Sequence, residues 1–313
     1  MENAKEKSLL EGDILRLESQ LFELKSRLTK TKGDAHHIVS TSGTEQKRPE
    51  SLNHSPLRTS SGDLGLYIPA TSHSLLLLSD SALPLGSFAF SSGLESYIAH
   101  HKSLPPDITA VSSFHRFLKL SMSSMAGMTV PYILSAYRYP EDLERWDNDL
   151  DASTLCTVAR RASVAQGRAL LSVWERAFRS TTLQTSQLDL ARTSLDTLSS
   201  LLRTGPSSAF GPNCHFAPIW ALVCLSMGLS IHQTAYLFLF NHVKALLSAA
   251  VRASVMGPYQ AQAILASPQL QAMITDGVEK EWERKPEDAG QVVPLLDFWV
   301  GRHELLYSRI FNS

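Results

Sequence analysis

TAYLFLFNHVKALLSAAVRASVM, residues 234–256, offers no polar face. Apolar side chains recur around nearly the whole circumference of a helix, interrupted by Asn241, His242, Lys244 and Arg252. Such a helix must be enclosed by neighbours rather than lie on a surface. The stretch therefore predicts a helical bundle with this segment at its centre.

Helical spacing extends over most of the chain from Ser74 onward. Val111, Phe114, Leu118, Met122 and Met125 fall on one face of a helix, and Val164, Gly167, Leu171, Trp174 and Phe178 on that of another. No alternating run bounded by Asn-Gly or Asp-Gly marks a strand. Pro131, Pro140, Pro206, Pro212, Pro258, Pro268, Pro286 and Pro294 each read as a helix boundary or first-turn residue. Between Thr181 and Cys214 a Ser/Thr-rich stretch carries Leu188, Leu195, Leu198 and Leu202, and reads as a peripheral helix flanked by loops. The expected fold is all-α, a single bundle of about ten helices over residues 74–313.

Ahead of the bundle lie two different segments. Leu10, Ile14, Leu17, Leu21, Leu24 and Leu28 make an a/d stripe within residues 1–30, near the lower length limit for a coiled coil. A weak dimerising helix and a lone surface helix both fit it. Residues 31–73 are rich in Ser, Thr, Gly and His without periodicity, which predicts a disordered linker. His36 and His37 could hold a metal ion weakly; a solvated pair in a tail is the simpler reading.

Composition excludes several classes. The 313 residues carry 29 Lys and Arg against 30 Asp and Glu, so no basic excess points to nucleic acid. Apolar runs such as APIWALVCL (217–225) and AYLFLF (235–240) are shorter than a membrane span requires. The start, MENAKEKSLLEGD, is charged and lacks a signal-peptide core. Cys156, Cys214 and Cys224 form neither a CxxC pair nor an even set, in keeping with a reducing compartment. A cytoplasmic protein is expected.

The search for chemistry turns first to SDSALPLGSFAFSSGLESYIAHH (79–101). Neither Gly86 nor Gly93 is followed by the Lys-Ser/Thr of a phosphate loop, and no G-x-S-x-G elbow occurs. Pro84 and Gly86 suit a turn, and Ser92-Gly93-Leu94-Glu95 reads as a capping box opening a helix. Phe88 and Phe90, two residues apart, would share one side of an extended segment, as core or as docking surface. Near the C-terminus His303-Glu304 opens like a zinc-protease motif, but Tyr307 stands where the second histidine would be. Cys214-His215 could ligate a soft metal, though no third ligand is identifiable; a capping or buried role for His215 is simpler. The acidic run from Glu141 to Asp151 reads as a solvated face. No catalytic, cofactor or metal site emerges, so an interaction protein leads by elimination.

The run LLLLSDSALPLGSFAFSSGLESYI (75–98) resembles the N-terminal motif of the urease accessory protein UreF family. ASVAQGRALLSVW (162–174), HFAPIWALVCLSMGLS (215–230), LFNHVKALLSAAVRASVMGPYQAQAIL (239–265) and the ending HELLYSRIFNS (303–313) are similar to family segments in the same order. The resemblance implies an all-helical, non-enzymatic co-chaperone. It implies a homodimer joining UreD (also called UreH) and the GTPase UreG, so that nickel reaches apo-urease; nickel and GTP are handled by the partner complex rather than bound directly. It further implies that Phe88 and Arg309 belong to the region meeting UreD, with Phe90, Tyr307 and Phe311 beside them. Phe88 stands where many bacterial members carry tyrosine, so a packing role is expected of it. The tail is expected to be loosely held until a partner orders it. The alternative reading is a helical metal-binding or small-molecule enzyme on the same scaffold, with Cys214, His215 and His242 as its polar centre.

Overall fold

The computed structural model describes residues 70–100, 109–180, 186–204 and 211–312, without the side chains of residues 186 and 187. The heptad stripe, His36, His37, Pro206 and all but the last four residues of the expected linker lie outside them. Those four, 70–73, begin the first helix. Eleven α-helices and no strand occur among the described residues. They are α1 (Ala70–Ser79), α2 (Leu94–His100), α3 (Ala110–Arg138), α4 (Leu143–Ser153), α5 (Thr157–Val173), α6 (Ser186–Thr204), α7 (Phe216–Ser226), α8 (Ile231–Arg252), α9 (Pro258–Leu265), α10 (Pro268–Glu281) and α11 (Pro294–Arg302). One hydrophobic core runs through the bundle.

Two helices share its centre. All ten residues from Ala217 to Ser226 of α7 are buried, with α3, α4, α5, α6 and α8 around them. Helix α8 opens with a true capping box: Ser230 accepts from the Gln233 amide, and the Gln233 side chain accepts from the Ser230 amide. By length and composition α8 could cross a membrane, yet 61% of its most apolar window is buried among α1, α2, α3, α7, α9 and α10. Trp220 Nε1 donates to the Thr234 carbonyl at 3.1 Å and so joins the two helices. The leucine face of α6 packs on α7, burying Ala191, Leu195 and Leu198.

The four polar interruptions of α8 are tertiary ties. Asn241 Nδ2 donates to the Leu78 carbonyl at 3.0 Å, and Lys244 Nζ donates to that of Ser79. Together they satisfy carbonyls that the end of α1 leaves without helical partners. His242 Nε2 meets Ser121 Oγ of α3 at 2.9 Å. Arg252 donates to the Phe88 carbonyl.

Proline placement follows the expectation at Pro258, Pro268 and Pro294, each in the first turn of a helix, and at Pro140 and Pro286, which open 3-10 turns. Pro212 precedes α7. Pro131 departs from it: the residue is buried inside the 29-residue α3. Its missing N–H would orphan the Gly127 carbonyl, but the Gly290 amide donates there instead, at 3.2 Å.

Candidate functional site

The LPLGSFAF motif and the C-terminal tail, far apart in sequence, fold against one another. Asp80 Oδ1 accepts from the Ala82 amide, and the Leu85 amide closes a tight turn around Pro84 onto the Leu83 carbonyl at 2.8 Å. Gly86 takes φ +71, a left-handed conformation costly for residues with a Cβ, and starts a 3-10 turn over Ser87–Ala89. Ser87 Oγ donates to Gln166 on α5 at 2.9 Å. The motif is thus turned rather than extended. Phe88 and Phe90 are both half-buried and line the same cavity, of about 210 Å³, between the motif and α3, α5 and α8.

Helix α2 follows from Ser92, at φ +49, and Gly93, at φ +86. A Cβ on Gly93 would stand 3.2 Å from the Val300 backbone nitrogen, so the glycine also lets α11 approach. Tyr97 packs edge-on to Trp299 of α11 and tilted to Phe117 of α3, with centroids 4.7 and 5.0 Å apart. The expected capping box is not what forms. The Glu95 amide bonds to Ser91 Oγ at 3.3 Å rather than to Ser92, and the Glu95 carboxylate turns away from the helix start.

That carboxylate receives the tail. Glu95 Oε2 accepts from His303 Nε2 at 2.8 Å and from the Phe311 amide at 3.2 Å, and Oε1 accepts from the Ile310 amide at 2.7 Å. Because an ionised carboxylate only accepts, the imidazole Nε2 carries the proton. The Asn312 amide then donates to the Ala89 carbonyl at 2.8 Å. Arg252, whose pKa burial lowers, holds both strands of this junction: it binds the Phe88 carbonyl, and its guanidinium lies 4.4 Å from the centre of the Phe311 ring.

Against the sequence expectations, the tail is docked on its own chain. Phe311, expected among the partner-facing residues, is buried at 5% exposure. Tyr307 is fully exposed, and Arg309 and Ile310 point to solvent. His303 is buried, while Glu304 lies outside and pairs with Arg161, which lowers its pKa. Leu295 and Phe298 of α11 and Leu305 are exposed as well. Sequence reasoning missed Arg252 altogether, reading it only as a break in an apolar helix.

Cys214 and His215 serve a second arrangement. The buried Asp147 of α4 accepts from the amides of Asn213 (2.6 Å), Cys214 (2.9 Å) and His215 (2.5 Å), fixing the entry to α7. Cys214 sits at φ +74, and desolvation pushes its buried thiol far up. This segment crosses α5 at Gly167, where a Cβ would fall 2.0 Å from the Cys214 carbonyl oxygen. His215 Nδ1 lies 3.0 Å from Ser163 Oγ, and its Nε2 lies 2.9 Å from Asp151 Oδ1.

Serine, histidine and aspartate in that order outline a nucleophile relay, but the surroundings oppose the chemistry. Ser163 Oγ accepts from the Phe216 amide, Asp151 also pairs with Arg160, and the neighbouring amides that could stabilise an oxyanion are committed to Asp147. His242 is tied to a different element, Ser121 of α3. Among the described residues no three His, Cys, Asp or Glu side chains are grouped to hold a metal ion.

Fold and site together define an all-helical protein whose marked residues converge on a docked C-terminal tail. The UreF family profile matches residues 108–269. The UreF-like urease accessory protein of Schizosaccharomyces pombe is 37% identical over 245 residues, 77% of this chain and 97% of that protein. Urease accessory protein F of Arabidopsis thaliana is 30% identical over 75% of this chain and 90% of its own length. Urease accessory protein UreF of Paenarthrobacter aurescens is 29% identical over 75% and 95%. The chain belongs to the UreF family of urease accessory proteins.

Proposed function

We propose that this chain is a co-chaperone of urease maturation, a scaffold that joins a UreD-type (UreH) protein to the GTPase UreG so that nickel reaches apo-urease. It works in the cytoplasm as a homodimer, modulates the GTPase, and acts by protein contacts rather than by catalysis. Nickel and GTP are handled by its partners. No nucleic acid or membrane takes part.

One observation carries the reading. The LPLGSFAF motif and the tail, two of the segments that resemble the family, meet through Glu95 and Arg252, and Tyr307, Arg309 and Ile310 of the docked tail stay exposed, as do Leu305 and, on α11, Leu295 and Phe298. Aromatic and arginine side chains on an apolar patch are the usual anchors of an interface. The partner surface for UreD is assigned to this face.

Co-purification of the chain with its cognate UreD-type protein tests it, wild type against Arg309→Ala, with circular dichroism confirming that both are folded. The expected result is a stable wild-type complex that the substitution weakens by about 2 kcal/mol, a hot-spot loss. Equal binding by the two would remove the tail from the interface, and turnover by the isolated chain would overturn the scaffold reading.

A further inference from the structure

Glu95 has more to do than a residue in a seven-residue helix requires. Its carboxylate is the meeting point of three donors from residues 303–311, all of them outside its own helix. His303, the nearest of the three in sequence, is fully buried, and its Nδ1 has no hydrogen-bond partner. The Glu95 oxygen is therefore what compensates the burial of that ring. Two adjacent backbone amides, Ile310 and Phe311, point at one carboxylate and fix the backbone between exposed Arg309 and buried Phe311.

We propose that Glu95, supported by His303, is the clasp that holds the tail in its docked form, and that it acts in partner capture as a positioning residue which does not itself touch the partner. The inference rests on the scaffold reading above and deepens it. A tail free in solution would have to lose backbone and side-chain freedom on every encounter. Clasped, the segment presents Tyr307, Arg309 and Ile310 already in place, and Phe311 under Arg252 prevents the last residues from peeling away.

Glu95→Gln is nearly isosteric and isolates the acceptor chemistry. Its amide keeps one acceptor oxygen, and its NH2 would face a donor from the tail. Two readouts are taken on the full chain: hydrogen exchange at the Ile310 and Phe311 amides, and affinity for the cognate UreD-type protein. The clasp predicts that exchange at both amides rises at least tenfold while α7 and α8 keep their protection, and that affinity falls at least tenfold. A second variant adds Ala89→Cys and Asn312→Cys to Glu95→Gln, bridging two residues whose backbones already share a hydrogen bond. Oxidation of that pair should restore both readouts.

Unchanged exchange at Ile310 and Phe311 overturns the clasp whatever the partner does. Faster exchange with unaltered affinity overturns the presentation role, as does a disulfide that restores protection without restoring capture. A wild-type chain that fails to bind the partner sinks the scaffold reading and the presentation role with it, while the exchange measurement still reads the clasp by itself.

Discussion

The amide of Gly290 donates to the carbonyl of Gly127 at 3.2 Å, filling the place that Pro131 leaves empty one helical turn further along α3. The notch holds more than one bond. A Cβ on Gly127 would lie 3.0 Å from Val292, and Gln291 accepts from Ser124 Oγ while donating to Asp297 of α11. A proline that local rules place at a helix end is instead a socket for the segment leading into α11, which carries the tail.

Replacing Pro131 by alanine restores an N–H that competes for the Gly127 carbonyl. Exchange of the Gly290 amide should rise several-fold, whereas global stability should move by less than about 1 kcal/mol, because the regained helical bond is offset by lost ring packing and a freer unfolded chain. Amide exchange and urea titration read the two effects separately. Unaltered exchange at Gly290 would show that the bond to Gly127 is incidental.

Asp147 supports α7 through three backbone amides with no basic side chain in its hydrogen bonds. Asn keeps the shape but only one acceptor oxygen, so at least one of those amides would face an NH2 group in a buried site. Asp147→Asn should cost about 2–4 kcal/mol in chemical denaturation, the range for hydrogen bonds to a charged acceptor lost in the interior. A loss below about 1 kcal/mol would mean that the 213–215 segment is held chiefly by its crossing at Gly167.

The bundle could be read from residues 234–256 because enclosure is a property of composition around a helix, and α7 was recognisable as buried for the same reason. What those four polar interruptions do could not be read. The partners of Asn241 and Lys244 lie at Leu78 and Ser79, and that of Arg252 at Phe88, separations over which a sequence carries no local periodicity. Glu95 was misread for a related cause. The Ser92 to Glu95 spacing matches a capping box, but donors from residues 303, 310 and 311 outcompete the one local amide that a cap would satisfy. The resemblance sets Phe311 beside the partner-facing residues, and the usual looseness of a terminus predicts a tail ordered only by a partner. The Arg252 side chain that covers Phe311 comes from a helix whose charge looked like an interruption.

His242 makes stability depend on pH. Burial lowers its pKa from 6.5 to about 4, so the folded chain keeps the ring neutral where the unfolded chain would protonate it. Its contribution is complete above about pH 6.5 and declines as pH falls toward 4, since the unfolded state then binds the extra proton. Allowing for the ring's place in a cavity wall, the loss should reach about 2 kcal/mol. Urea titrations between pH 7.5 and 5 should show the decline before most carboxylates protonate, and His242→Gln should flatten it. A wild-type slope that survives this substitution would assign the effect to another group.

Arg252 and Phe311 should behave as a coupled pair. The guanidinium bonds to the Phe88 carbonyl and lies over the Phe311 ring, so Arg252→Ala removes a charge-assisted bond and a ring contact at once. Phe311→Ala removes the contact and opens the slot, while leaving the bond to Phe88 in place. In a double-mutant cycle on the full chain, the coupling energy should be about 1 kcal/mol, in the range of a partly desolvated cation over an aromatic face. Arg252→Lys should retain only part of it, because an ammonium does not stack as a planar guanidinium does. Additive losses would mean that Arg252 supports the motif alone, leaving the tail to be held by Glu95, by the Asn312 amide on the Ala89 carbonyl and by the Glu304 pair with Arg161.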